Sequence, residues 1–336
     1  MPSIVNFNKL LAARTNLMAI FNQTPPVPRP EDTPEREFVD WFGTPILLVD
    51  GAFLGLDRAP KEFTEQGRQY AQMIFDQWVM YYKKWTQSVK LDEDSVKLLN
   101  AKMATWMRTV QSWLPAYAQA QSNAAGLMIA NGESTPCYDG QNLYDTDHPG
   151  YYQGAPTQSN LLRWKFSKDA FWDAIRVFEG LMDPFSPGLY MNRVCTHVLY
   201  AKDIEEQVLT ALLAGYISAT ENVALRSKNI KPVKWRQMPP GQFVLVDRRA
   251  GADAPCTGVY DSEIGAGLTA GLEGTTDMAA AEALRAGRLE WQESVDEDYW
   301  FEHRAIKIGT FGAYQIHAGQ WTTSLKCTGE TAFPGS

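Results

Sequence analysis

Between Val96 and Tyr117 an apolar residue returns every three or four positions: Val96, Leu99, Met103, Trp106, Val110, Trp113 and Tyr117. Alternating spacings of three and four keep all seven on one side of an α-helix. The seam runs for six turns, about 30 Å at 1.5 Å per residue. Asp92-Glu93-Asp94-Ser95 precede it with N-cap candidates and with negative charge suited to a helix N-terminus. Pro115 falls inside the seam and predicts a kink or a division there. Small residues then take over (Ala116, Ala118, Ala120, Ala124, Ala125), which lets another element approach closely, and Asn131-Gly132 predicts the end.

Residues 4 to 22 place Phe7, Leu10, Leu11, Leu17, Met18 and Phe21 on one helical face. That short amphipathic helix runs into Pro25-Pro26-Val27-Pro28-Arg29-Pro30-Glu31-Asp32-Thr33-Pro34. Five prolines in ten residues remove backbone donors and hold the chain extended. A tethered apolar helix either reaches a neighbour or packs back on its own domain, and the sequence favours neither. Residues 67 to 91 are rich in aromatic and β-branched side chains. Tyr70, Gln72, Ile74 and Asp76 share one parity and Val79, Tyr81, Lys83 and Trp85 another, which fits a two-stranded excursion and does not exclude a helix.

Further along, Ser167 or Asp169 is a candidate cap for a helix carrying Ala170, Phe171, Ala174, Ile175, Phe178 and Leu181, which Pro184 and Pro187 stop. Val194 to Tyr200 reads as a strand buried on both faces, Asp203 opens a helix closing at Gly215, and Phe243 to Asp247 reads as a central strand. Residues 265 to 276 read as a Gly- and Thr-rich loop, with Asp277 capping a small helix ending at Gly287. Tyr299 to Lys326 alternates well enough for two or three antiparallel strands, punctuated by Gly309, Gly312 and Gly319. Helix and strand interleave without a repeating βαβ rhythm, so the fold class is α+β.

Composition bounds the partners. Hydrophobic residues at 45% and charged residues at 21% describe a globular chain, with eleven Trp and fourteen Tyr available for packing or interfaces. A net charge of −8 without a Lys/Arg run argues against a phosphate-neutralising surface. No apolar run approaches the roughly 20 residues of a membrane span, and no charged-then-apolar leader opens the sequence. Cys137, Cys195, Cys256 and Cys327 are scattered without CxxC spacing, against both a zinc knuckle and a disulfide scaffold. A soluble protein made in a reducing cytoplasm is expected.

The densest polar stretch is Thr135 to Pro149. Asp145, Asp147 and His148 offer carboxylates and an imidazole to a cation, and a metal-dependent hydrolase built on them is the alternative from the enzyme class. The EF-hand spacing is absent, however, and Asp139-Gly140, Asp145-Thr146-Asp147 and His148-Pro149 are ordinary turn chemistry. The expectation is a structural turn holding Asp139, Gly140, Asp145, Asp147, His148 and Pro149, with no catalytic residue, cofactor or metal. His197 beside Cys195 is expected to be a satisfied core histidine. Gly265 to Gly271 brushes against the dinucleotide fingerprint with the wrong spacing, and Walker A, HExxH and GxSxG are missing.

The run Cys137-Tyr138-Asp139-Gly140-Gln141-Asn142, ending in His148-Pro149, resembles a signature of the Mu-like phage major head subunits. A second patch follows in the same order as in that family: Asp296-Glu297-Asp298, aromatic strand residues, Phe311-Gly312-Ala313 and Gly319-Gln320-Trp321. The resemblance implies a phage capsid fold of the HK97 type, with N-terminal arm, extended β-hairpin loop, long spine helix, peripheral and axial domains. On this sequence it makes 1–50 the arm and 51–92 the extended loop region, with the loop itself at 66–92. The spine helix and first part of the peripheral domain fall at 93–165, the axial domain at 166–290, and the closing peripheral strands and tail at 291–336.

It further implies a major capsid protein, not an enzyme, assembling with itself into hexamers and pentamers around packaged double-stranded DNA, with no sequence-specific binding and no membrane. Scaffold or protease, portal and decoration proteins are the expected partners, the virion the expected location, and the host bacterial cytoplasm the place of assembly. A minor head or decoration protein is the nearer alternative. The subunit-interface candidates are Phe7, Leu10, Leu11 and Phe21 of the arm and Trp78, Tyr81, Tyr82 and Trp85 of the loop. Acidic net charge suits a wall that must not bind its cargo tightly.

Overall fold

The computed structural model describes residues 4–23, 33–44, 48–49, 52–56, 73–76, 80–92, 99–213, 229–249, 253–264, 285–294 and 305–334. The long seam forms α2 (Leu99–Ala130), 32 residues, and the amphipathic N-terminal segment forms α1 (Ile4–Gln23). Pro115 neither divides α2 nor ends it. The carbonyl that its missing N–H abandons is that of Gln111, and Gln111 and Pro115 both face solvent, where water replaces the lost bond. The burial pattern of α2 also changes there. Single buried positions at Trp106 and Val110 give way to adjacent pairs, such as Leu114 beside Trp113 and Ala118 beside Tyr117. The small residues thus let α2 bury a wider face along its second half.

The layer beneath α2 is a five-stranded sheet organised around one long strand, β13 (Ala305–Ala318). The other members are β1 (Val39–Thr44), β6 (Lys83–Asp92), β11 (Cys256–Asp261) and β12 (Glu290–Ser294). Tyr314 is paired with both Lys83 and Tyr260, and Gly309 with both Ser88 and Gln292. Hence β6 occupies one side of β13, while β11 and β12 share the other. β1 continues the sheet beyond β11 as its parallel neighbour. Among the described residues β6 is therefore an edge ten residues long, and Lys83, Lys84 and Lys90 stand exposed along it, the charges with which edge strands resist unwanted pairing.

A second five-stranded sheet runs in the order β7 (Leu161–Trp164), β14 (Ser324–Thr331), β10 (Phe243–Val246), β8 (His197–Tyr200), β9 (Lys231–Lys234). β10 is central and fully buried, as its unbroken apolar run requires. α3 (Lys168–Glu179) starts at Ser167, whose hydroxyl accepts from the Ala170 N–H at 3.1 Å, and a 3-10 turn over 202–204 leads into α4 (Glu205–Leu213). One continuous core joins both sheets, α2 and α3.

Two strand assignments differ from the sequence expectation. The two-stranded excursion pairs β3 (Ala52–Leu56) with β4 (Met73–Asp76), while 83–92 leaves it to join β13; only β5 (Met80–Tyr81) pairs elsewhere, with β2 (Leu48–Val49). Ile74 and Asp76 thus belong to one sheet and Lys83 and Trp85 to another, which local alternation cannot reveal. At the C-terminus, β13 runs unbroken through Gly309 and Gly312, and after Gly319 the chain crosses to the second sheet as β14. The two strands are not partners. Residues 25–32 of the proline tether, residues 265 to 276 and the Asp277 helix start lie outside the described residues, and Pro34 opens a 3-10 turn over Pro34–Phe38.

Candidate functional site

The two stretches of sequence singled out above, Thr135 to Pro149 and Gly319 to Trp321, meet in space. Cys137 Sγ donates to the Gly319 carbonyl at 3.3 Å, and the Tyr138 hydroxyl donates to Gln320 Oε1 at 3.4 Å. The His148 ring lies flat on Trp321, with centroids 4.1 Å apart and planes 4° from parallel. Within the loop the Asp139 carboxylate caps its own turn by accepting from the Gln141 N–H, and Gly140 supplies the left-handed backbone, φ 81°, that the turn needs.

His148 is fully buried. Its Nδ1 lies 2.5 Å from Asp139 Oδ2 and its Nε2 3.0 Å from Asn160 Oδ1. Asn160 is fully buried as well. Its amide nitrogen donates to the carbonyls of Leu143 (2.8 Å) and Trp321 (3.0 Å), and its Oδ1 also accepts from the Asp145 N–H at 2.9 Å. These bonds fix which end of the carboxamide is oxygen. Asn160 is the hub of the junction.

The cation cluster offered by Asp145, Asp147 and His148 is not assembled. Both imidazole nitrogens are engaged by Asp139 and Asn160, and Asp147 is exposed. Asp145 and Asp147 instead interact with each other. Burial opposes ionisation of Asp145, but the Thr146 N–H and the Asp147 side chain prevail and hold it below its ordinary value. Asp147 is raised by its hydrogen bond to Asp145. No group of three or more His, Cys, Asp or Glu side chains among the described residues is disposed to hold a metal ion. His197 is buried against Phe38, its rings 5.4 Å apart and perpendicular, with Nδ1 2.9 Å from Thr196 Oγ1; burial lowers its pKa. Cys195 Sγ donates to the His197 carbonyl at 3.6 Å.

A buried ammonium ties the junction to α2. Lys326 Nζ donates to the carbonyl of Ala130, the last residue of α2, at 2.6 Å and pairs with Glu133 Oε1 at 2.7 Å. A cation at the negative end of a helix satisfies an orphan carbonyl, and this one is 1% exposed. Burial lowers the Lys326 pKa against the opposing pull of Glu133. Neither Asn160 nor Lys326 was singled out by the sequence; Asn160 stands just before β7 and Lys326 within β14, with no motif to mark either.

The interface candidates divide. Phe7 and Leu10 lie in α1, Leu11 is partly buried against the core, and Phe21 is buried against Trp291, rings 5.4 Å apart. Arg14 and Glu293 clasp the same helix to β12. Tyr82 is buried with Val259 and Ala313. Tyr81 and Trp85 each remain 45% exposed although Tyr81 sits edge-on to His317 and Trp85 stacks on Tyr314. Trp78 lies outside the described residues. No helix among them is long and apolar enough to cross a membrane.

Residues 62–178 match the family described as Mu-like prophage major head subunit gpT. The matched stretch includes β4, β6, α2, the Thr135 to Pro149 loop, β7 and most of α3. No curated protein matches the chain. Among solved structures the chain is similar to the bacteriophage JBD30 capsid, with TM-score 0.47 and 12% identity over 88% of this chain and 64% of that one. It thus spans less than two-thirds of that relative's length. It is also similar to the capsid of Ralstonia phage GP4, with TM-score 0.48 and 11% identity over 93% and 91% of the two chains. For the mature capsid of bacteriophage PhiM1 the values are 0.49 and 9%, over 87% and 86%.

Proposed function

We propose that this chain, which resembles the Mu-like major head subunits, is the major capsid protein of a Mu-like tailed phage or prophage. The observation that carries the reading is the family match over residues 62–178. The junction supports it from the other direction. Asp139, His148 and Asn160 spend their polar groups on one another and on backbone, and the Trp321 ring covers His148, so the most motif-like loop of the chain is a fastening between the loop after α2, the start of β7 and the turn before β14. A subunit that must hold its shape in a repeating shell needs such fastenings more than it needs a reactive group.

In this reading subunits form hexamers and pentamers of an icosahedral head around double-stranded DNA, held by many repeated contacts. Residues 1–50 serve as arm, 51–92 as extended loop region, 93–165 and 291–336 as spine helix and peripheral domain, and 166–290 as axial domain. The chain has no catalytic role. Scaffold or protease, portal and decoration proteins join it in the host cytoplasm, and the virion is its destination. Expression alone and together with the neighbouring head genes, followed by electron microscopy and light scattering, tests this. Closed shells or capsomer rings are expected; a strictly monomeric protein in both preparations refutes it. Leu10→Asp with Leu11→Asp is expected to leave a soluble subunit that forms no shells, and normal particles from that variant refute the arm assignment.

A further inference from the structure

A cavity of about 90 Å³ opens between α2 and the β6 edge of the first sheet, walled by Trp85, Tyr117, Leu289 and Tyr314. Its walls are braced. Trp85 Nε1 donates to the Tyr314 carbonyl at 3.1 Å and the two rings stack, while Tyr117 meets Tyr314 edge-on at 5.3 Å. Two oxygens belonging to residues that line this cavity, Thr310 Oγ1 and Gln87 Oε1, are buried and have no hydrogen-bond partner among the described residues. Thr310 is 2% exposed. A buried hydroxyl left unpaired costs about 1–3 kcal/mol, so aromatic walls with unpaired oxygens suit a flat apolar group that carries a polar tip.

The chain displays such a group elsewhere. Tyr190 is 60% exposed, the highest value among the large apolar side chains of the described residues. The loop that carries it is fixed at both ends. The Asp183 N–H donates to the Leu189 carbonyl at 2.8 Å, and the Met191 N–H donates to the Leu181 carbonyl at 2.9 Å. The Asp183 carboxylate accepts from the Phe185 N–H at 2.9 Å, and Arg249 donates to the Asn192 carbonyl at 2.6 Å. Little backbone freedom therefore remains to be lost when this tyrosine is covered, which favours an anchor.

We propose that Tyr190 of one copy of this chain docks into the Trp85–Tyr117–Tyr314 cavity of a second copy, its hydroxyl bonding to Thr310 Oγ1 and Gln87 Oε1. This contact rests on the self-assembly proposed above. It joins the second sheet's side of one subunit to the first sheet's edge of the next. Cavity and anchor are different patches, so the contact is heterologous and propagates into rings when the rotation closes.

The test places the photoreactive residue p-benzoylphenylalanine at position 190 of the full chain, co-expressed with the head genes, and maps cross-links by mass spectrometry. Intermolecular links to 83–92, 117–120, 289 or 305–318 in assembled particles are expected. In parallel, Thr310→Val should weaken association about threefold to tenfold, the worth of one hydrogen bond, and Tyr190→Phe, which removes two, about tenfold to a hundredfold. The double variant should be little worse than Tyr190→Phe alone, the free Tyr190→Phe subunit should melt as the wild type does, and the free Thr310→Val subunit should melt no lower. Particles whose links map elsewhere, or additive effects of the two substitutions, overturn the docking and leave the capsid reading intact. A small molecule co-purifying in the cavity does the same. A chain that never associates overturns both.

Discussion

His148 is where a residue-level reading of the sequence and the three-dimensional outcome part most instructively. The run Asp145-Thr146-Asp147-His148 suggests three ligands side by side, but spacing along a turn says nothing about direction. The ring turns away from its two neighbours toward Asp139, nine positions back, and toward Asn160. What was legible was the turn chemistry; what was not was the hub, because an isolated Asn carries no pattern. The two aspartates should therefore behave oppositely. Asp139→Ala leaves the buried His148 Nδ1 without its partner and should cost about 3 kcal/mol in urea unfolding. Asp147→Ala should leave the unfolding curve unchanged. Equal effects would return the loop to the status of a cation site.

Asp247 gives a second residue-scale expectation. Burial pushes its carboxyl up, but Arg249, which donates at 2.6 Å and 2.9 Å, and the Val194 N–H outweigh burial and hold it below the ordinary 3.8. A carboxyl depressed in the folded state contributes stability that is present above its unfolded value and is lost as pH falls through its folded one. Beneath pH 3.8 the wild type should thus lose stability more steeply than Asp247→Asn. Parallel acid limbs in a urea series would contradict the assignment.

At the scale of elements, periodicity located α2, α3 and the buried strand β10, because each is written within one stretch of chain. Partner choice is written nowhere locally. Residues 83–92 alternate no differently for pairing with β13 than they would for a hairpin, and the chain crossing after Gly319 separates two strands that read as neighbours. Gly312, which the sequence marked as strand punctuation, lies at the helix–sheet contact. A Cβ on Gly312 would stand 2.6 Å from Leu289 and 2.7 Å from the Tyr117 hydroxyl, both locked between α2 and the sheet. Gly312→Ala should therefore cost about 1–3 kcal/mol by overpacking. In α2 itself, Gly126→Ala would meet only the amide end of Gln237, a long side chain able to swing away, and gains about 1 kcal/mol of helix propensity. Thermal melts of the two variants should move in opposite directions.

For the molecule as a whole, aromatic abundance suggested surfaces waiting for neighbours, and the structure divides that load. Phe21 is held by Trp291 within its own chain, and Tyr82 by a small cluster of its own, while Tyr81 and Trp85 keep 45% of their surface in water on the β6 side of the first sheet. Burial inside the subunit and burial between subunits have different thermodynamic signatures. Removing an internal side chain lowers the stability of the isolated chain; removing an interfacial one lowers only association. Phe21→Ala should destabilise the free subunit by about 3–5 kcal/mol, enough to threaten folding before assembly begins. Tyr81→Ala should leave the subunit's melting temperature near that of the wild type and reduce the yield of closed particles. Light scattering alone would not separate the two, since both end in fewer shells. Melting the unassembled subunit beside the assembly assay does, and a Tyr81 variant that melts as low as the Phe21 variant would move this aromatic edge from the subunit's surface into its core.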